Sequence, residues 1–116
     1  MTIDERPSDG VIILEVRDRM TIETQPVLVT RVRQLVQEGR KQIVLNLAGV
    51  PYMDTSGLCS IVESYLATTR RGGMLKLLHL TPHVRKVLDI TRLLTVFEAY
   101  DAEADAVASF GAKVQT

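Results

Sequence analysis

Ile43-Val44-Leu45-Asn46-Leu47-Ala48-Gly49-Val50 runs into Pro51-Tyr52-Met53-Asp54-Thr55-Ser56-Gly57-Leu58. The first five residues are short, apolar and partly β-branched, with almost no alternation. That is the pattern of an interior parallel strand covered on both faces. After the second run, Leu58, Ile61, Val62, Tyr65 and Leu66 recur at helical spacing. Between strand and helix stand two adjacent hydroxyls, flanked by an aspartate and a glycine. A strand that ends in hydroxyls at a helix N-terminus places small polar groups at an exposed sheet edge, where α/β proteins commonly carry function.

Working outward from this junction, Thr2 to Arg6 is a candidate strand, Pro7-Ser8-Asp9-Gly10 is turn chemistry, and Val11 to Val16 is a strong strand. The two strands predict an antiparallel hairpin. A helix is expected from about Thr24, as N-cap, to Glu38, with Leu28, Val32, Leu35 and Val36 as its apolar stripe and Gly39 as its left-handed end. The helix after the junction is expected from Ser56 to about Arg71, stopped by Gly72-Gly73. Met74 to Leu80 is the third strong strand. Thr81-Pro82 reads as a capping hydroxyl followed by proline at the first helical position, with Val84, Val87 and Leu88 facing inward. A brief strand over Val96 to Tyr100 follows. Asp101 then caps a last helix, with Glu103 and Asp105 in its early turns and Ala104, Val107, Ala108 and Phe110 as a weak inner face. Residues 112–116 are expected to fray. The order is ββαβαβαβα in one domain over residues 1–116: an α/β fold with a small mixed sheet of four to five strands.

The 116 residues are 46% hydrophobic but only 4% aromatic, so aliphatic side chains must fill the core. Lys+Arg 14 balances Asp+Glu 14, which argues against nucleic acid as the main partner. Arg70-Arg71 and Arg85-Lys86 read as solvated helix charges. Cys59 is the only cysteine, so no intramolecular disulfide forms, as suits a reducing compartment. The N-terminus carries no signal-peptide core, and no apolar run approaches the ~18 residues that span a bilayer. A cytoplasmic protein without membrane insertion is expected.

Catalysis finds little support. A Ser or Thr nucleophile needs a base in reach, and the histidines are His79 and His83 alone. The Gly-x-Ser-x-Gly elbow is missing. Two histidines and one cysteine at unrelated spacings match no zinc site. Asp54 lacks a partner carboxylate for calcium, and Gly72-Gly73 lacks the rest of a phosphate loop. No enzyme activity, metal or cofactor is therefore expected. For the junction, Ser56 or Thr55 could be a helix N-cap worth about 1 kcal/mol, with Asp54 helping the dipole. Capping accounts for one hydroxyl but not for two with Gly57 behind them, and on spacing alone capping and a phosphorylation switch stand level.

The stretch from Ile43 to Val50 through Met53-Asp54-Thr55-Ser56-Gly57-Leu58 resembles the signature of the STAS-domain family, specifically the bacterial anti-sigma-factor antagonists. The resemblance continues through Arg71 to Leu77, Thr81 to Leu88 and Phe97 to Ala106. It implies a phosphorylated residue directly after the aspartate, which is Thr55, with Ser56 as second candidate. It also implies a partner-binding surface of Asp54, Thr55, Ser56, Gly57 and Leu58, in which Asp54 shapes the loop and Gly57 admits the partner's close approach. The partners implied are an anti-sigma factor that is also a protein kinase, and a phosphatase; the protein would be a monomer or homodimer. Binding would release a sigma factor, and phosphorylation would switch binding off. The alternative is a STAS scaffold, not phosphorylated, in a signalling or transport-associated assembly. Two segments depart from the family's pattern. Asp18-Arg19-Met20-Thr21 stands where a Gly-x-Leu-Asp-like segment is usual, and Thr91-Arg92-Leu93 stands for Thr-Gly-Leu.

Overall fold

A computed structural model of the chain describes the backbone of residues 1–114 and the side chains of residues 1–110. Thr2–Ser8 (β1) and Val11–Arg17 (β2) pair antiparallel, with Ser8 opposite Val11. Asp9 and Gly10, at φ +50° and +82°, form the whole two-residue turn. Positive φ at both positions gives a turn whose twist matches the strands it joins. Pro7 and Ser8, expected in the turn, belong to β1. Proline is tolerated there because β1 is an edge strand.

Gln25–Gln37 forms α1, with Thr24 at the N-cap and Gly39 at φ +86° behind the C-terminus. Arg40 N–H bonds Leu35 O at 2.9 Å and Gly39 N–H bonds Val36 O at 3.0 Å, which closes the helix end through a left-handed glycine. The Thr24 hydroxyl does not cap α1. It accepts from the Thr21 amide at 2.8 Å instead.

Gln42–Gly49 (β3) lies between β2 and Met74–Leu78 (β4) and is parallel to both, with Leu14, Leu45 and Leu77 in register. β4 ends two residues before the expected Leu80 because His79 turns to φ +55°. The expected strand over Val96 to Tyr100 shrinks to Ala99–Tyr100 (β5). Its first residues are spent on a turn in which the Val96 and Phe97 amides both bond Leu93 O. The sheet order is β1-β2-β3-β4-β5.

Both faces of the sheet are covered. Alternate residues of β2 divide between them: Ile12, Leu14 and Val16 join the larger core, and Val11 and Ile13 join the smaller. The larger core takes Leu28, Val32, Leu35 and Val36 of α1, Ile61 of Thr55–Thr69 (α2), and Val84 and Leu88 of Pro82–Ile90 (α3). Glu103–Val114 (α4) covers the other face with Ala106, Val107 and Phe110. The expected inner positions Ala104 and Ala108 are exposed. α4 begins at Glu103, two residues past the expected cap Asp101, whose carboxylate accepts from Arg85 at 3.4 Å. Of the tail expected over 112–116, the helical backbone takes in residues through Val114; the rest lies outside the described residues.

Two features of the interior do not follow from apolar spacing. α2 buries Gly57, Ser60, Ser64 and Thr68 beside Ile61, while Leu66 is exposed. Ser60 donates to Gly57 O at 2.6 Å and Thr68 to Ser64 O at 2.8 Å, so these two hydroxyls are satisfied within their own helix; the buried Ser64 hydroxyl has no hydrogen-bond partner among the described residues. Under α4, Lys76 is wholly buried; its Nζ lies 2.8 Å from Ser109 Oγ, 3.1 Å from a Glu98 carboxylate oxygen and 4.5 Å from the Phe110 ring centre.

Candidate functional site at the start of helix α2

β3 ends at Gly49, and the chain then crosses the sheet edge before α2 begins at Thr55. Neighbours hold this crossing from both sides. On the β2 side, Asp18 N–H bonds Gly49 O at 2.9 Å, Met20 N–H bonds Tyr52 O at 3.0 Å, and Asp54 N–H bonds Met20 O at 3.1 Å. Met20 and Met53 thus form a short parallel bridge, and both are buried. On the β4 side, the Thr81 hydroxyl donates to Val50 O at 2.7 Å, and His83 Nε2 lies 3.1 Å from Met53 O. The His83 ring stacks on Tyr52 at 4.9 Å between ring centres, and the Arg19 guanidinium lies 5.5 Å from the centre of the Tyr52 ring. The hydroxyl of Thr81, expected as the cap of α3, is therefore spent on the crossing.

Asp54 caps α2. Its backbone is extended, at φ −98° and ψ −172°, and its carboxylate accepts from Gly57 N–H at 2.9 Å. Neither Ser56 nor Thr55 is the N-cap, as spacing suggested. Both lie inside the first turn, and the helix starts one residue earlier than expected. An aspartate that accepts from the amide three residues ahead satisfies one orphan donor and places a negative charge at the positive end of the helix dipole. With the cap supplied, both hydroxyls are released: neither Thr55 nor Ser56 makes a side-chain hydrogen bond among the described residues. Thr55 is exposed and Ser56 half-buried. Leu58 is half-buried against the larger core.

Gly57 is buried, and the space its side chain would occupy is filled by Met20 of the same chain. Met20 belongs to the segment that departs from the family's usual sequence, so that segment forms a wall of the site. Both departures keep a glycine-like backbone: Asp18 has φ +88° and Arg92 has φ +63°. Among the described residues, no group of three or more His, Cys, Asp or Glu could hold a metal, and no helix is long and apolar enough to cross a membrane. Among the described residues, the His83 side chain bonds to backbone and not to Thr55 or Ser56.

The segment that carries this geometry belongs to a known domain: residues 2–106 match the STAS domain family. The chain belongs to the STAS-domain family. An anti-sigma F factor antagonist of Paenibacillus polymyxa is 27% identical over 99 residues, covering 84% of this chain and 85% of that one. The crystal structure of TM1081 from Thermotoga maritima superposes with a TM-score of 0.86 at 25% identity, covering 92% of each chain. A sulfate transporter family protein from Wolinella succinogenes shares the STAS fold at TM-score 0.80 and 21% identity, covering 94% of this chain and 91% of that one. That last likeness is one of fold alone.

Proposed function

We propose that this STAS domain is an anti-sigma-factor antagonist: it binds an anti-sigma factor that is also a protein kinase, and phosphorylation of Thr55 ends the binding. The observation that carries this reading is the division of labour in the first turn of α2. Asp54 does the capping, so the exposed Thr55 hydroxyl, with no hydrogen bond of its own, is spare for a kinase. Ser56, half-buried beside it, is the second candidate. The unmodified surface of Asp54, Thr55, Ser56 and Leu58 presents neutral hydroxyls to the partner, while Gly57 lets Met20 support the turn from behind. A phosphate on Thr55 adds about −1.5 to −2 charges beside Asp54. The helix N-terminus favours an anion, so the fold survives, but a partner face shaped for a neutral hydroxyl meets a hydrated dianion.

The testing experiment is an affinity capture from native lysate with the wild type, Thr55→Ala, Ser56→Ala and Thr55→Glu, followed by phosphosite mapping. The reading requires a captured protein kinase, label on Thr55 and weaker capture by Thr55→Glu. Label on Ser56 alone would move the switch by one residue. Equal capture by Thr55→Glu and wild type, with no label on either hydroxyl, would discard the switch.

A further inference from the structure

A cavity of ≈ 580 Å³ opens where β3 begins, at the opposite end of the sheet from Thr55. β3 has eight residues, which separates the two ends by about 25 Å. Three connections meet at the cavity: the β1–β2 turn, the loop from α1 to β3, and the loop from α2 to β4. They contribute Gly10, Gly39, Arg40, Lys41, Gly72 and Gly73 to its walls. Gly10, Gly39 and Gly72 all have positive φ, and a Cβ on any of them would meet nothing within 4 Å. No aromatic residue lines the cavity.

The charge at this end is one-sided. Arg33, Arg70 and Arg71 line a second, smaller groove beside it, between α1 and α2. None of Arg33, Arg40, Lys41, Arg70 and Arg71 forms an ion pair among the described residues. Arg6, Arg17, Arg31, Lys76 and Arg85 are all paired. The acids that adjoin cavity-lining glycines in sequence, Asp9 beside Gly10 and Glu38 beside Gly39, form no ion pair with these cations among the described residues. The chain as a whole has no net charge, so the excess here is a matter of placement. Cations are favoured near helix C-termini, but both helices are closed by backbone bonds, Arg40 N–H to Leu35 O at 2.9 Å and Gly73 N–H to Thr68 O at 3.0 Å. The side chains are not needed as caps.

We propose that this cavity binds a multiply charged anion of the phosphate class, with Arg40 and Lys41 against it and Arg70 and Arg71 at its rim. A guanidinium supplies a planar fork for phosphate oxygens, and an ammonium supplies a compact charge. The volume lies in the range of small-ligand sites. The absent glycine side chains leave room for a bulky tetrahedral group, and the lack of an aromatic wall fits a phosphate rather than a base. Lying at the far end of β3, the site does not compete with binding at Thr55.

The test is a titration of the full-length protein with sodium pyrophosphate at constant ionic strength, read by amide NMR shifts. Expected are saturable shifts at Gly39, Arg40, Lys41, Gly72 and Gly73, with none at Thr55. The double variant Arg40→Gln, Lys41→Gln alters only exposed side chains and should weaken binding by about tenfold or more; Arg92→Gln, a cation elsewhere, should not. Flotation with phosphatidylcholine vesicles, with and without a phosphoinositide, separates the sources. Binding to phosphoinositide vesicles that the double variant loses assigns a lipid headgroup; pyrophosphate binding without vesicle binding assigns a soluble ligand. Shifts that never saturate, or that persist in the double variant, overturn the proposal. Binding of poly-glutamate with none of pyrophosphate would also overturn it, in favour of an acidic protein surface.

Discussion

The backbone of Met20 lies directly against the α-carbon of Gly57. A Cβ on Gly57 would stand 2.7 Å from Met20 Cβ and 2.8 Å from its carbonyl carbon, with the carbonyl oxygen nearer still. Met20 is held in place by its bonds to Tyr52 and Asp54, so it has nowhere to retreat. The first turn of α2 and the segment after β2 are therefore one unit, although 37 positions separate the two residues in the chain.

Gly57→Ala should break that unit. One methyl forced into closed backbone costs about 1–3 kcal/mol, and the upper end is expected because the obstacle is main chain. Urea unfolding measures it. Wild-type stability in this variant would mean that Met20 can move after all.

Asp54→Ala should remove the cap of α2 and cost about 1 kcal/mol. Thr55→Ala and Ser56→Ala, which remove no hydrogen bond, should stay within about 0.5 kcal/mol of wild type. Thermal melts of the three variants side by side decide it. The reverse ranking would return the capping role to a hydroxyl.

Asp18→Gly and Arg92→Gly should each stabilise the protein, by about 0.5–1 kcal/mol. Both residues hold positive φ, where a Cβ is strained and glycine is not. Asp18→Ala should instead destabilise. A glycine variant that melts below the wild type would show that the Asp18 or Arg92 side chain contributes more than its backbone strain costs.

Arg6 joins β1 to the first turn of α4 through Glu103, with one bond from Nη1 to Oε2 at 3.0 Å. Hydrogen bonding to Arg6, followed by its charge, holds the Glu103 carboxyl below the usual glutamate range, against the opposing effect of partial desolvation. The native carboxylate thus takes up a proton less readily than the unfolded one. Its stabilisation is complete above the ordinary glutamate pKa and is lost as pH falls through the lower native value. Both side chains are partly exposed, at 41% and 35%, so the contribution is under about 1 kcal/mol. Glu103→Gln should therefore be less stable than wild type at neutral pH, with the gap closing in acid. A gap of constant size from neutral pH into acid would refute the linkage.

The sheet was legible because its three central strands are apolar runs, each broken by a single polar residue (Glu15, Asn46 and Lys76), and no other element accounts for Ile43 to Leu47 or Val11 to Val16. Glycine punctuation was equally readable: Gly39 and Gly72 do take positive φ. What stayed hidden was polar and local. Asp54, Thr55 and Ser56 are all good N-caps, so spacing could not tell which one turns its side chain back to Gly57. The burial of Ser60, Ser64 and Thr68 has no signal in hydropathy, and the bonds of Ser60 and Thr68 to preceding carbonyls leave no trace there either. Lys76, buried under α4, defies any apolar pattern; its shelter depends on Glu98, Ser109 and Phe110, which meet it only after folding. The role of Met20 was hidden for the same reason, since no periodicity links it to Gly57.

In this sheet each strand bonds only to the strands next to it in the chain, in the order β1-β2-β3-β4-β5. A ribosome could therefore lay the sheet down as it makes it. The hairpin forms first, and each later strand adds to a free edge; none has to be threaded between two that are already joined. Once Leu78 has emerged, four of the five strands can be in place. The Met20–Gly57 contact closes within that same length of chain, before α3, β5 and α4 exist.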